Sequence, residues 1–295
     1  ITHGTIFKVR GQVPLLVCNR MELEEAQKSG LRVMTDIELG FSDILEATEN
    51  DVVKATALFW SQVLSKEGLD EGRVGLYGTW QINLTLALYD VLFEEVDEYD
   101  FVAEASPTIF DKAMLTKDDE ELRRIQSVAE RTNETMQTVW DFIAGLRADG
   151  NYLMNDANER VTIGDIKTLV RRELMARGLE DTGMIFAQGR DAGFPHSRGE
   201  NDMPLEMGKS IVFDLFPREL GGGYHHDMTR TRRIGYAPSD VQALYDTVME
   251  AFDISLESYG LGKPTHTMQE AVLDYFEAKG HPTSRTNSRT MDGYM

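Results

Sequence analysis

Residues 211–235 read IVFDLFPRELGGGYHHDMTRTRRIG and contain two aspartates, Asp214 and Asp227. The apolar run around Asp214 and the alternating pattern after Asp227 predict two β-strands. Three consecutive glycines between them predict the turn of a β-hairpin. In a symmetric hairpin centred between Leu220 and Gly221, residues whose numbers have a constant sum face each other. The sequence therefore predicts that the two aspartates form a cross-strand pair.

Two facing carboxylates on a half-buried sheet repel each other, so they require a shared proton or a cation. A divalent metal is one interpretation. The alternative is an asymmetric connection in which one aspartate caps the turn and the other faces solvent. Strand alternation places His225 and Thr229 on the face of Asp227. His225 is then either a further ligand or a surface residue beside the turn, and Thr229 either orients a carboxylate or is a plain strand residue.

The composition of the 295-residue chain limits its class of function. The 30 lysines and arginines stand against 50 aspartates and glutamates, a formal net charge of −20. This charge argues against a nucleic-acid partner. No segment has the roughly 18 uninterrupted apolar residues of a membrane helix, and no basic region followed by an apolar run opens the sequence. We therefore expect a cytoplasmic protein with no membrane partner.

The order of predicted elements changes near residue 110. Before it, short apolar runs alternate with helical patterns, and this βαβ order predicts an α/β domain over residues 1–110. After it, residues 111–295 begin with long helices. The sequence therefore predicts two domains with a boundary near the segment SPTIFDKAMLTKDDEELRRI.

The second predicted domain repeats its own order. Helices are expected at about 118–147 and 163–176, followed by strands of which GMIFAQG and IVFDLF are the clearest. Pro238 then opens another long helix, and Thr267 with Glu270 predicts a capping box on another short one. Because helix, helix and strands have begun a second time, further strands are expected after them.

One long motif resembles a known family. MGKSIVFDLFPRELGGGYHHDMTRTRRIG is similar to the first two metal-binding strands of the methionyl-aminopeptidase, Xaa-Pro aminopeptidase and prolidase family, the pita-bread metallopeptidases. IFDKAMLTKDDEELRRIQSVAERTNETM resembles the helix that opens its catalytic domain, and PHSRGENDMPLEMG the segment with its substrate-binding histidine. The first hundred or so residues look like the creatinase-type amino-terminal domain of the Xaa-Pro branch.

The resemblance implies an α+β fold in which an α/β creatinase-type domain, residues 1–110, precedes a pita-bread catalytic domain, residues 111–295. It also implies that the carboxy-terminal part of the catalytic domain is missing, because the family's remaining ligands, one histidine and two glutamates, have no counterpart before Met295. The chain as given is therefore not expected to be a fully competent enzyme. Leu215 departs from the glycine that many members have after the first aspartate.

The resemblance further implies roles for single residues. Asp214 would bind one metal ion in bidentate fashion, and Asp227 would bridge two. Thr229 would orient the Asp227 carboxylate without itself binding a metal ion. His196 would contact the substrate, whereas the alternative is a simple loop histidine after Pro195. The two divalent ions, Mn²⁺, Co²⁺ or Zn²⁺, would activate the water that attacks the amide.

The implied activity is metal-dependent hydrolysis of an Xaa-Pro bond, which releases the amino-terminal residue of a peptide with proline at its second position. Prolidase activity on Xaa-Pro dipeptides is the alternative. A metal-free hydrolase of the creatinase type and a non-catalytic peptide-binding relative also remain open. The family further implies a homodimer.

Overall fold

The computed structural model describes residues 3–286 and divides into two units, Ile1–Thr116 and Lys117–Met295. The division falls a few residues after the predicted boundary at residue 110. That the first unit is a creatinase-type domain stays a prediction.

The first unit contains a three-stranded sheet in the order β1-β2-β3 and a parallel pair formed by β4 and β5. Its core includes Leu15, Val63 and Leu92, all of them buried. Cys18 is also buried, as its apolar context predicts. The elements are β1 (Thr5–Phe7), β2 (Leu15–Cys18), α1 (Leu23–Gln27), β3 (Arg32–Thr35), α2 (Phe41–Ala47), α3 (Val52–Lys66), β4 (Gly72–Leu76), α4 (Ile82–Glu95), β5 (Tyr99–Ala103) and α5 (Ile109–Ala113).

The second unit is built around a three-stranded antiparallel sheet, with one pair of helices before it in the chain and one pair after it. The elements are α6 (Asp119–Gly145), β6 (Arg147–Asp149), β7 (Tyr152–Met154), α7 (Ile163–Ala176), β8 (Leu179–Glu180), β9 (Met184–Gln188), β10 (Ser210–Leu215), β11 (Arg218–Glu219), β12 (Met228–Arg233), α8 (Ser239–Ser258) and α9 (His266–Ala278). Short 3₁₀ turns lie at Arg20–Glu22 and Asp191–Gly193.

The sheet of the second unit has the strand order β12-β10-β9 and packs one face on α6 and α7. Strand β10 alternates as expected for a half-buried strand: Ile211, Phe213 and Leu215 are fully buried. Asp214 points to the other face and is half-buried. The sheet thus offers one apolar face to the helices and leaves the face that carries Asp214 more open.

An aromatic cluster joins the helices to the sheet. The ring of Phe213 lies edge-on to Phe186, with centroids 5.2 Å apart, and to Trp140 of α6, with centroids 5.9 Å apart. Such pairs add to the burial of the rings themselves. This cluster fixes β10, and with it Asp214, relative to α6.

Most predicted helices match the structure, and the sequence signals at their ends explain why. The side chain of Asp118 caps α6 and that of Thr162 caps α7, each in a capping box. The capping box predicted at Thr267 is wrong, because α9 already begins at His266 and the Thr267 hydroxyl donates to the carbonyl of Pro264, 2.8 Å away. No helix within residues 3–286 has the length and apolar character needed to cross a bilayer.

We expect Phe213→Ala to lower the free energy of unfolding by about 3–5 kcal/mol, because it deletes a fully buried ring at the centre of the cluster. Urea denaturation of the purified protein measures this change. Leu261→Ala is the matched control, since Leu261 is 93% exposed in the same unit. A loss of less than about 1 kcal/mol for Phe213→Ala would contradict the packing of this ring between Phe186 and Trp140.

Candidate metal centre

The turn between β10 and β12 determines which residues face Asp214. Glu219 N–H donates to the carbonyl of Tyr224 at 3.1 Å, so the hairpin closes around residues 220–223. Gly221, Gly222 and Gly223 all have positive φ, a conformation that a leucine avoids. The turn is therefore centred one residue later than predicted, between Gly221 and Gly222.

The predicted cross-strand pairing of the two aspartates is consequently wrong by two residues. Asp214 faces Thr229 across the β10–β12 ladder, and Leu215 faces Met228. Asp227 stands just before β12, as a diagonal neighbour of Asp214 on the same face. Diagonal neighbours are about 7–8 Å apart at the backbone, a distance that two carboxylate side chains can bridge.

The side chains do meet. The Asp227 carboxyl group lies within hydrogen-bonding reach of the Asp214 carboxyl group. Although Asp227 is exposed as a residue, desolvation of its carboxyl group raises its pKa, and the negative charge of Asp214 raises it further. Two carboxylates in such contact need a proton or a cation between them.

Thr229 supports a different carboxylate from the one that the sequence motif implied. Its hydroxyl donates to Oδ1 of Asp214 at 2.6 Å. This partner follows from the register, because Thr229 stands directly opposite Asp214. The expectation that Thr229 orients Asp227 is thus corrected to an interaction with Asp214.

The tip of the hairpin is anchored to α6. The Tyr224 hydroxyl donates to Oε1 of Glu121 at 2.6 Å, and the Tyr224 N–H donates to Oε2 of Glu219 at 3.0 Å. Arg124 binds Glu219 and lies over the Tyr224 ring, 4.9 Å from its centroid. The hydrogen bond from the Tyr224 hydroxyl is the main reason that the pKa of the Glu121 carboxyl group is lowered. These contacts hold the chain three residues before Asp227.

The hairpin also carries His225 and His226. His225 is exposed and forms a backbone bridge with Arg218. His226 is half-buried, and burial lowers its pKa while the charge of Asp227 opposes that change. His225 therefore stays an open candidate ligand beside the turn.

His196 lies in a separate loop between β9 and β10, exposed to solvent. The Ser197 N–H donates to the carbonyl of Phe194 at 3.1 Å, so Pro195 and His196 occupy the centre of a β-turn. The φ of His196 is +63°, at a turn position that normally takes glycine or asparagine. Among the hydrogen bonds of residues 3–286, none joins His196 to Asp214 or Asp227.

Comparison with known proteins decides the family. Residues 123–292 match the family described as "Metallopeptidase family M24". The chain belongs to metallopeptidase family M24. An uncharacterised peptidase of Staphylococcus epidermidis is 24% identical over 273 residues, which are 91% of this chain and 65% of that protein. The chain thus spans about two thirds of the length of this relative.

Solved structures agree with the fold. The X-Pro aminopeptidase from Thermotoga maritima has a TM-score of 0.68 at 17% identity, covering 94% of this chain and 68% of that one. The Xaa-Pro dipeptidase from Bacillus anthracis has a TM-score of 0.70 at 17% identity, covering 95% and 68%. The predicted α+β pita-bread fold is confirmed.

Membership of M24 implies divalent metal ions, and the donor set of this chain fits them in part. Asp214 and Asp227 offer hard carboxylate oxygens, which suit ions such as Mn²⁺. Their enforced contact is the kind that a cation relieves. In the part of the chain that the structure describes, no group of three or more His, Cys, Asp or Glu side chains could hold a metal. The described residues therefore supply two candidate ligands rather than a whole site.

Sequence reasoning missed one buried polar group near His196. Lys167 of α7 is 6% exposed, and its Nζ donates to the carbonyl of Gly199 at 2.7 Å and to Oδ1 of Asn201 at 2.9 Å. The signal was in the sequence, because Lys167 falls among Ile163 and Val170 on the apolar face of α7. A lysine on such a face marks a specific polar contact.

We expect His196→Gly to raise the free energy of unfolding by up to about 1 kcal/mol, because glycine removes the cost of a left-handed conformation. Chemical denaturation measures the change. Ser197→Gly in the same turn is the control and should lower stability, since Ser197 does not have a positive φ. A destabilised His196→Gly variant would contradict the strain at this position.

Proposed function

We propose that the complete protein hydrolyses the Xaa-Pro bond at the amino terminus of a peptide and releases the first residue. The observation that carries this proposal is the contact between the Asp214 and Asp227 carboxyl groups on the open face of the sheet. Family membership supplies the reaction class, a metallopeptidase acting on a peptide. Because the chain covers 65% of its relative from S. epidermidis, the activity is proposed for the whole protein.

The Asp214 and Asp227 carboxylates would hold the ions. Thr229 fixes the rotation of the Asp214 carboxylate through its 2.6 Å hydrogen bond, which leaves the remaining oxygen lone pairs free for ligation. A pair of divalent ions, when bound, supplies Lewis acidity toward the scissile carbonyl and toward water. We propose Mn²⁺, Co²⁺ or Zn²⁺ in this role.

His196 would donate a hydrogen bond from its imidazole to the substrate backbone or to the developing oxyanion. Donors of this kind typically contribute about 100-fold or more in rate. The strained turn supports this role, because backbone strain is retained mainly where a side chain must be aimed.

The preference for proline at the second position is supported by the relatives in the structural comparison, an X-Pro aminopeptidase and an Xaa-Pro dipeptidase. These two differ in the length of peptide that their names state, so cleavage of Xaa-Pro dipeptides is the second candidate function. A homodimer in the cytoplasm also stays part of the proposal.

We expect the full-length protein with Mn²⁺ to release the first residue from an Xaa-Pro-Yaa tripeptide, and to lose this activity on chelation with EDTA. Amino-acid release from the tripeptide, from an Xaa-Pro dipeptide and from an Xaa-Ala-Yaa control is measured by chromatography. Cleavage of the dipeptide alone would favour the prolidase, and activity that survives chelation would refute the metallopeptidase mechanism. Asp227→Ala should abolish turnover, whereas the matched exposed control Asp240→Ala should not.

We expect Thr229→Val to weaken metal affinity about 10–100-fold, because the Asp214 carboxylate loses the hydroxyl that orients it. Titration calorimetry with Mn²⁺ measures the affinity directly and does not depend on turnover. Thr231→Val is the matched control, since Thr231 lies on the same strand as Thr229 but faces Val212 of β10. Equal affinities for the two variants would show that Thr229 has no part in metal binding.

A further inference from the structure

Lys167 makes an unusual set of contacts for a buried ammonium. Its two partners, the Gly199 carbonyl and the Asn201 side-chain amide, carry no charge. Burial, and then the positive charge of Arg171, lower its pKa, while Glu200 acts in the opposite direction. An ammonium that loses water and bonds neutral acceptors adds little to stability compared with an apolar side chain. Its presence on an apolar helix face therefore calls for another reason.

The residues that Lys167 binds follow closely after His196 in the same loop. The loop is clamped from two sides at this point. On one side, the Phe186 N–H of β9 donates to the Arg198 carbonyl at 3.4 Å. On the other, the Gly164 N–H at the start of α7 donates to the Asn201 carbonyl at 2.8 Å, beside the two bonds from Lys167.

Gly199 makes the clamp sterically tight. Its φ is +75°, and a Cβ at this position would lie 2.2 Å from the carbonyl oxygen of Phe186. No side chain fits there, so the loop backbone is pressed against β9 while Lys167 holds the Gly199 carbonyl from α7. His196 is three residues before Gly199, so roughly 10 Å of extended chain is the largest distance between it and the clamp.

We propose that Lys167 is a positioning residue that aims the turn carrying His196 at the substrate. This inference rests on the proposed function, in which the His196 imidazole contacts the substrate. Lys167 touches neither substrate nor metal. It fixes the loop at Gly199 and Asn201, so that the strained turn at residues 194–197 cannot relax by sliding along β9.

The test is a double-mutant cycle in the full-length protein with Mn²⁺ and an Xaa-Pro-Yaa tripeptide. Lys167→Met keeps the length of the stem and removes the donor. We expect it to lower kcat about 10- to 100-fold, the cost of a misplaced catalytic group. The Lys167→Met/His196→Ala double variant should be no slower than His196→Ala alone, because Lys167 acts only through His196. Mn²⁺ affinity should stay unchanged in all three variants.

Two further variants keep the test decisive. Asn201→Ala removes one of the two acceptors at an exposed residue, and we expect a smaller loss of kcat that is again absent in the His196→Ala background. If Lys167→Met does not fold, this second cycle takes its place. Lys209→Met makes the same substitution at an exposed lysine and should leave kcat unchanged.

If the losses of kcat from Lys167→Met and His196→Ala add in the double variant, the proposal is overturned. Full activity of Lys167→Met would overturn it as well. Slow turnover of His196→Ala with normal turnover of Lys167→Met would refute the role of Lys167 alone. Normal turnover of His196→Ala would refute the proposed role of His196 and the inference that depends on it. An inactive wild-type protein with intact Mn²⁺ binding would instead refute the proposed Xaa-Pro activity.

Discussion

The repulsion between two carboxylates is the constraint on which the second unit depends. With the hairpin turn centred between Gly221 and Gly222, Asp214 and Asp227 are diagonal neighbours on one face, and their carboxyl groups come into contact. A shift of one residue in that turn would change every partner across the ladder by two positions. The three glycines, the Tyr224 anchor and the aromatic cluster under β10 all restrict the hairpin to this register. Backbone and packing interactions thus maintain a contact between two carboxyl groups that is unfavourable without a cation.

The sequence predicted much of this arrangement, and the reason lies in periodicity. The apolar positions of α7 repeat with helical spacing from Ile163 to Leu174, and the alternation in β10 separates Asp214 from its buried neighbours. Capping residues then defined the starts of α6 and α7. These local signals are consistent with the final fold, and local consistency of this kind is what a sequence reports best.

The register and the loop contacts could not be predicted in the same way. Leu220 and the glycines that follow it offer two turn centres one residue apart, and only the positive φ of Gly223 together with the Glu219–Tyr224 bond selects between them. The corrected partner of Thr229 follows from that choice. The contacts of Lys167 depend on residues more than 30 positions away in the chain, which no periodic pattern encodes.

Three features of the second unit run against the rules for a stable sequence: the paired aspartates, the left-handed His196 and the buried Lys167. They are linked through one strand and one loop, since β10 pairs with β9, β9 receives the loop at Arg198, and Lys167 of α7 binds that loop at Gly199 and Asn201. Adjacent strands are about 4.8 Å apart, so the loop backbone runs roughly 10 Å from the strand of Asp214. Unfavourable features scattered over a protein would only lower its stability. Three such features joined through one strand and one loop are typical of a site at which structure is held for chemistry.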